Sequence, residues 1–170
     1  MITGNALRHQ MILPEQQALY DYWRSKCKGG NIPSRDDIDP AELGEFLPTI
    51  SLVEPVSVDG GDDKYQVRLA GTDLYKIYKQ EITGQFLSDM PTGSRRAYWK
   101  RVLGRVVEQA KPSAGAVRSA ISGKSHMAQF WIRLPLSCDG ESVTMVLGFD
   151  KFVKLSEVAA SQPALEKLSA

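Results

Sequence analysis

The apolar residues nearest the N-terminus recur at the spacing of a helix. Leu19, Trp23 and Cys27 are each four positions apart, which places them on one side of a helix. Pro14 stands at the first position, where a helix tolerates proline best, and a glycine pair follows Cys27 as a stop signal. The pattern predicts an amphipathic helix that begins at Pro14 and ends at Cys27, with an apolar stripe that needs a surface to pack on.

The next signals predict a capped helical turn and a β-hairpin. Asp39 is followed by a proline, the pattern of an N-cap at the start of a short helix through Phe46. Residues 50–58 and 65–70 have the composition and alternation of strands, and a turn sequence at 59–62 separates them. Capping accounts for Asp39 without any catalytic role.

The middle of the chain predicts short helices followed by one long helix. Residues 72–90 contain brief apolar patterns broken by turn residues, whereas residues 95–111 carry a wide apolar stripe suited to lying on a sheet. The stripe consists of Tyr98, Trp99, Val102, Leu103, Val106, Val107 and Ala110.

Three further strands are predicted at residues 114–121, 127–136 and 142–152, with a hairpin turn at Asp139-Gly140. The last strand is apolar on both faces, which is typical of a central strand covered on both sides. The order of elements predicts an α+β fold, a five-stranded antiparallel sheet with short helices and one long connecting helix on one face. The N-terminal helix is expected to cover the opposite face.

Composition and charge narrow the class of protein. Hydrophobic residues make up 42% and charged residues 24% of the 170 residues, values that favour an ordinary globular domain. No apolar run approaches the roughly 18 residues of a membrane span, and the first residues do not form a secretion signal. Two cysteines far apart in sequence, Cys27 and Cys138, favour reduced thiols and a cytoplasmic location.

The order of strands and helices, together with several short motifs, resembles the PAS fold and in particular small bacterial single-domain PAS proteins. The resemblance covers residues 15–152. It rests on Leu-Tyr-Asp-Tyr-Trp at 19–23, Ile-Pro-Ser-Arg at 32–35, Asp-Pro at 39–40, Tyr-Gln-Val-Arg-Leu-Ala-Gly-Thr at 65–72, Thr-Gly at 83–84, Leu-Pro-Leu at 134–136 and Asp-Gly at 139–140. Two residues depart from it: Lys79 replaces an expected glycine, and Cys138 an expected polar turn residue.

The resemblance implies a non-enzymatic sensory or regulatory module of bacterial signalling. Residues 1–31 would form an N-terminal extension with the flanking helix, residues 32–152 the PAS-like domain and residues 153–170 a tail. Such domains bind small ligands between the sheet and the short helices. They also pair through flanking helices, which implies a homodimer through the helix from Pro14 to Cys27. No output domain is expected after the last strand, so a signalling protein partner is implied.

The implied ligand pocket lies between the inner sheet face and the crossing helices. An apolar pocket with a few polar tips is the usual form of a binding site, although aromatic residues at such positions also simply fill a core. The candidate ligand-binding residues are Tyr75, Tyr78, Phe86, Tyr98, Val102, Phe130 and Ile132.

The cofactor stays unknown. Haem attachment would need a histidine near the long helix, but the two histidines, His9 and His126, lie elsewhere. A flavin photosensor would need a reactive cysteine in a short core helix, where neither Cys27 nor Cys138 stands. No group of residues has metal-ligand spacing.

Two alternative functions stay open. A small enzyme would use an acidic residue in the sheet cavity as its base, with Asp73, Glu81 and Asp89 as candidates. A nucleotide or nucleic-acid binder would use the basic face of the long helix, formed by Arg96, Lys100, Arg101 and Arg105. The net charge of +1 and the lack of a recognition motif argue against duplex nucleic acid.

Overall fold

The computed structural model describes residues 4–57 and 64–158 of the chain. In chain order the elements are α1 (Gly4–Gln10), α2 (Pro14–Lys26), α3 (Pro40–Leu43), a 3-10 helix (Gly44–Thr49), β1 (Ile50–Pro55), β2 (Tyr65–Ala70), α4 (Thr72–Tyr78), a second 3-10 helix (Gly93–Arg95), α5 (Arg96–Gln109), β3 (Ser113–Arg118), β4 (Met127–Leu136), β5 (Met145–Lys154) and α6 (Leu155–Val158).

The five strands form one antiparallel sheet in the order β2-β1-β5-β4-β3. This arrangement confirms the predicted α+β fold and places β5 at the centre. β5 runs from Met145 to Lys154 instead of from 142 to 152, a shift toward the C-terminus. The predicted turn at 59–62 and all but the first residues of the expected tail lie outside the described residues.

Helix α2 covers one face of the sheet, which we call the α2 face. Leu19, Tyr20 and Trp23 are buried against the sheet residues Leu134 and Leu147. The indole Nε1 of Trp23 donates a 2.8 Å hydrogen bond to the carbonyl oxygen of Pro135, near the end of β4. The apolar stripe predicted from the sequence therefore packs on its own domain.

Helix α5 crosses the opposite face, which we call the α5 face. Of the seven residues of the predicted stripe, three are half-buried and four are buried, namely Trp99, Val102, Leu103 and Val106. They pack on β4 and β5, with α4 and the connection to α5 beside them. Because both faces are covered, β5 is apolar on both sides.

Local chemistry explains where the short helices start and stop. Asp39 accepts a 2.8 Å hydrogen bond from the backbone N–H of Ala41, which confirms the predicted N-cap. Helix α3 ends at Leu43 and not at Phe46; a 3-10 helix continues the chain to Thr49. None of the helices in the described ranges is long and apolar enough to cross a membrane.

Lys79 ends α4 in the left-handed conformation, with a φ of 58°. This position favours glycine, because a side chain strains a left-handed residue. The end of α4 requires a left-handed residue, which explains why the family pattern led us to expect glycine there. This chain adopts the same backbone conformation with lysine.

Candidate functional site

Strand β4 directs two chemically different sets of residues to the two sheet faces. Phe130, Ile132 and Leu134 are buried on the α2 face, whereas the alternate residues lie beneath α4 and α5, as the ring contacts of Trp131 with Trp99 show. The residues directed to the α5 face include polar side chains, namely Gln129, Trp131 and Arg133.

A buried charge pair occupies the middle of the α5 face. Arg133 and Asp150 are 7% and 5% exposed, and Arg133 Nη2 donates to Asp150 Oδ1 at 2.9 Å. The same carboxylate oxygen accepts from Gln129 Nε2 at 2.8 Å. Arg133 Nη1 also donates to the carbonyl oxygens of Ile132 and Phe149 at 2.9 and 3.0 Å. These bonds stabilise both charges in a place where an unpaired charge is costly.

Two tryptophans enclose the guanidinium group. The Arg133 guanidinium carbon lies 5.0 Å from the ring centroid of Trp99 and 5.8 Å from that of Trp131. The two rings meet edge to face, with centroids 5.6 Å apart. Trp131 Nε1 donates a 3.1 Å hydrogen bond to Tyr98 Oη. The cation is therefore held by cation–π contacts as well as by its carboxylate.

A small cavity adjoins this charge pair, between the sheet and the α4–α5 side; we call it the core cavity. Its volume is about 40 Å³, and its polar lining residues are Ser51, Tyr78, Thr92, Arg133 and Asp150. Burial, and secondarily the charge of Asp150, raise the pKa of Tyr78 far above its usual range. The phenol is therefore a neutral donor and acceptor at neutral pH.

One hydroxyl that lines the core cavity lacks a hydrogen-bond partner. Thr92 is 3% exposed, and no described residue hydrogen-bonds to its Oγ1. The buried hydroxyl of Ser88, on the same connection between α4 and α5, is likewise without a partner among the described residues. Buried polar groups nearly always have a partner, either protein or ordered water, so the hydroxyl of Thr92 is the unusual group in the lining of the core cavity.

The seven predicted ligand-binding residues do not come together. Tyr78 lines the core cavity. Tyr98 and Val102 line a different cleft, near the other side of Trp131. Tyr75 is 55% exposed on α4, and Phe86 is half-buried at the outer edge of β2.

Phe130 and Ile132 require a correction, because they lie on the α2 face and not beneath α5. A strand exposes alternate residues to opposite faces, so an assignment that is wrong by one residue reverses the whole set. The residues that do face α5 went unnoticed in the sequence. Their signal was the recurrence of Gln129 and Arg133 four positions apart in an otherwise apolar strand.

The predicted catalytic carboxylates are absent from the core cavity. Asp73 pairs with Lys76 at 2.7 Å, and Glu81 Oε1 accepts from the backbone N–H of Thr83 at 2.8 Å. Asp89 is exposed. The carboxylate that the cavity does contain, Asp150, was missed.

The core cavity, in the form that this structure shows, is too small for a large cofactor. Binding pockets for such groups have volumes of about 300–1,000 Å³, whereas the core cavity has about 40 Å³ and no cysteine or histidine among its lining residues. Cys27 and Cys138 are free, the latter exposed. In the described ranges no group of three or more His, Cys, Asp or Glu side chains is arranged to hold a metal ion.

Comparison with known proteins identifies the fold. A family model described as PAS domain matches residues 11–150, whereas no curated protein matches the chain. A light-oxygen-voltage domain studied with a flavin analogue is 13% identical with a TM-score of 0.51, over 74% of this chain and 92% of that one. The structure of VqmA bound to DPO is 15% identical with a TM-score of 0.52, over 68% of this chain and 57% of that one. At these identities, each of the two structures shares only its fold with this chain.

Proposed function

Because the chain belongs to the PAS domain family, we propose that it is a sensory or regulatory module that acts by binding and not by turning over a substrate. The proposed sensing point is the core cavity. It combines a buried charge pair, a neutral Tyr78 phenol and the partnerless hydroxyl of Thr92. The Thr92 hydroxyl is the observation that carries the proposal, since leaving a buried hydroxyl unsatisfied costs about 1–3 kcal/mol.

The size of the core cavity limits the ligand. A water molecule needs about 10–15 Å³ of cavity volume. The core cavity of about 40 Å³ therefore accepts a molecule of a few non-hydrogen atoms. A larger ligand would require the connection between α4 and α5 to move outward. That connection carries Ser88 and Thr92, whose buried hydroxyls do not bind any described residue.

The substitution Thr92→Val tests this proposal, because its sign depends on occupancy. In an empty cavity the valine removes an uncompensated hydroxyl and stabilises the domain by about 1–3 kcal/mol. In an occupied cavity it removes a ligand contact, so no stabilisation follows and a bound small molecule is lost. Urea denaturation and native mass spectrometry of freshly purified protein measure the two effects. The matched control is Thr144→Val, at an exposed threonine.

If no mass is bound to the wild-type protein, the core cavity is ruled out as the sensing point whatever the sign of the Thr92→Val effect, because a single water molecule also fits the cavity and satisfies the hydroxyl. The protein would then act only by docking another protein. Docking a signalling partner is therefore the second role that we propose for this protein. The exposed large apolar residues support it. In the described ranges these are Leu47, Leu69 and Tyr75, on or next to the contacting pair of α4 and the first 3-10 helix.

We propose a revised route for the expected homodimer. The apolar stripe of α2 is buried on the sheet, and its outward positions include Asp21 and Arg24. Leu69 and Tyr75 are 40% and 55% exposed, so the proposed pairing uses these two residues. Sedimentation velocity of the wild type and of the Leu69→Glu/Tyr75→Glu variant tests this dimer surface. A dimer that persists in the variant contradicts the revised route. A wild-type protein that is monomeric at all concentrations contradicts it as well. The free cysteines support a reducing compartment such as the cytoplasm as the proposed location.

A further inference from the structure

A second and much larger concavity lies at the outer edge of the sheet, between α5 and β3; we call it the β3 cleft. Its volume is about 580 Å³, within the range of about 300–1,000 Å³ that is typical of small-molecule sites. Gln10 and Ile12, at and just beyond the end of α1, also line it. The core cavity, at about 40 Å³, is less than a tenth of this size.

The charged side chains that line the β3 cleft are both cationic. Arg101 and Arg105 stand one turn apart on α5, and both are exposed. No carboxylate of the described residues pairs with either guanidinium, whereas other surface cations do have such partners, for example Arg68 with Glu54 at 2.8 Å. Two unpaired guanidinium groups beside a concavity attract an anion and match the geometry of carboxylates and phosphates.

The edge of β3 adds backbone groups to the β3 cleft. Ser119 N–H donates to Met127 O in register with the β3–β4 pairs, which sets the alternation of hydrogen bonds along the strand. By this alternation Ala114 and Ala116 direct their N–H and C=O groups away from β4. Both residues line the cleft, and among the described residues no side chain hydrogen-bonds to these groups. Alanine side chains leave the backbone accessible.

Trp131 connects the β3 cleft with the core. It lines the cleft, donates to Tyr98 Oη there, and contacts the Arg133 guanidinium on its other side. Its ring also packs on Gly115, where an added Cβ would come within 2.8 Å of the indole. A ligand that moves Tyr98 would therefore change the surroundings of a buried indole.

We propose that the β3 cleft binds a small organic anion, a carboxylate or a phosphate ester, whose charge pairs with Arg101 and Arg105 and whose polar atoms reach the free backbone edge at Ala114 and Ala116. This site is separate from the core cavity and does not depend on it. We expect a small molecule, because the volume of the cleft lies within the range of small-molecule sites.

Isothermal titration calorimetry of the full chain tests the proposal, with succinate, inorganic phosphate and adenosine monophosphate as separate probes at millimolar concentration. We expect saturable binding of at least one probe; succinate alone assigns a carboxylate site and adenosine monophosphate a phosphate-ester site. Tryptophan fluorescence should change over the same concentration range. Loss of one charged hydrogen bond corresponds to about a tenfold to hundredfold weaker affinity, so Arg101→Gln/Arg105→Gln, which removes two guanidinium groups, should weaken binding by at least that factor.

The matched control is Arg96→Gln/Lys111→Gln, which removes the same charge from exposed positions near the two ends of α5 that do not line the cleft. It should leave the affinity within about twofold, since distant exposed charges are screened by salt. Equal weakening in the two double variants would overturn the proposal and indicate unspecific attraction to a basic helix. Absence of saturable binding for all three probes would also overturn it. Thr92→Val should bind as the wild type does, which separates this outcome from that of the core cavity.

Discussion

The substitution Arg133→Leu probes the centre of the proposed sensing site. It removes the cation and leaves the carboxylate of Asp150, which is 5% exposed, with the amide of Gln129 as its remaining hydrogen-bond partner among the described residues. It also removes the cation–π contact with Trp99. We expect a large loss of stability, because a buried charge without its counter-charge is poorly solvated.

The size of the effect follows from the burial of the pair. Removing one partner of a buried ion pair costs about 3–5 kcal/mol, a large part of the roughly 5–15 kcal/mol that stabilises a typical domain. For a domain of this size, each kcal/mol lowers the melting temperature by about 2–4 °C. Arg133→Leu should therefore melt about 6–20 °C below the wild type.

A matched control separates burial from charge. Arg68 is also a strand arginine paired with a carboxylate, at 2.8 Å from Glu54, but its side chain is 55% exposed. Arg68→Leu should cost less than about 1 kcal/mol, because water screens the exposed pair. The double variant Arg133→Leu/Asp150→Leu should regain part of the loss, since no lone charge remains. Urea denaturation at neutral pH measures all three, and equal costs for Arg133→Leu and Arg68→Leu would refute a desolvated pair.

Three further predictions concern the frame around the site. Lys79→Gly should stabilise the protein by about 0.5–1 kcal/mol in thermal denaturation, because glycine relieves the left-handed helix end, whereas Lys76→Gly inside α4 should destabilise it by about 1 kcal/mol. Leu19→Ala should cost about 2–5 kcal/mol, because Leu19 is fully buried against the sheet; a negligible cost would mean that α2 is a detachable extension. The hydroxyl of Ser137 and two backbone N–H groups hold the pKa of Asp139 well below its usual range. The stabilising effect of the Asp139 carboxylate is therefore complete above the unfolded pKa near about 4 and disappears as the pH falls further. The difference in stability between the wild type and Asp139→Asn should accordingly close on acidification. A difference that persists at low pH would contradict this hydrogen bonding.

The elements of the fold were predictable because their signals are local. The spacing of Leu19 and Trp23 defines a helix without knowledge of its partner, and the apolar character of both faces of β5 predicts its central place. The end of α4 was less accessible. Lysine at position 79 gives no sign of a left-handed residue, and only the family pattern indicated that glycine would be usual there.

The candidate site was not predictable because it depends on which face of β4 looks toward α5. Phe130 and Trp131 are adjacent and are 1% and 3% exposed, so hydrophobicity alone does not tell the two faces apart. The partner of Arg133 lies 17 positions away on β5, in a pairing that only the sheet register creates. A polar residue in a buried strand is therefore the better guide to the inner face than an aromatic one.

The buried charge pair also explains why β4 adopts this register and not one that is shifted by one residue. A slip of one residue would turn Gln129 and Arg133 toward the α2 face, where Leu19 and Trp23 offer apolar surface. The guanidinium would then be desolvated without Asp150, at a cost of several kcal/mol. The same residues that make the core cavity polar thus exclude the alternative pairing. A ligand in the proposed sensing site would therefore act on the interaction that holds β4 and β5 in register.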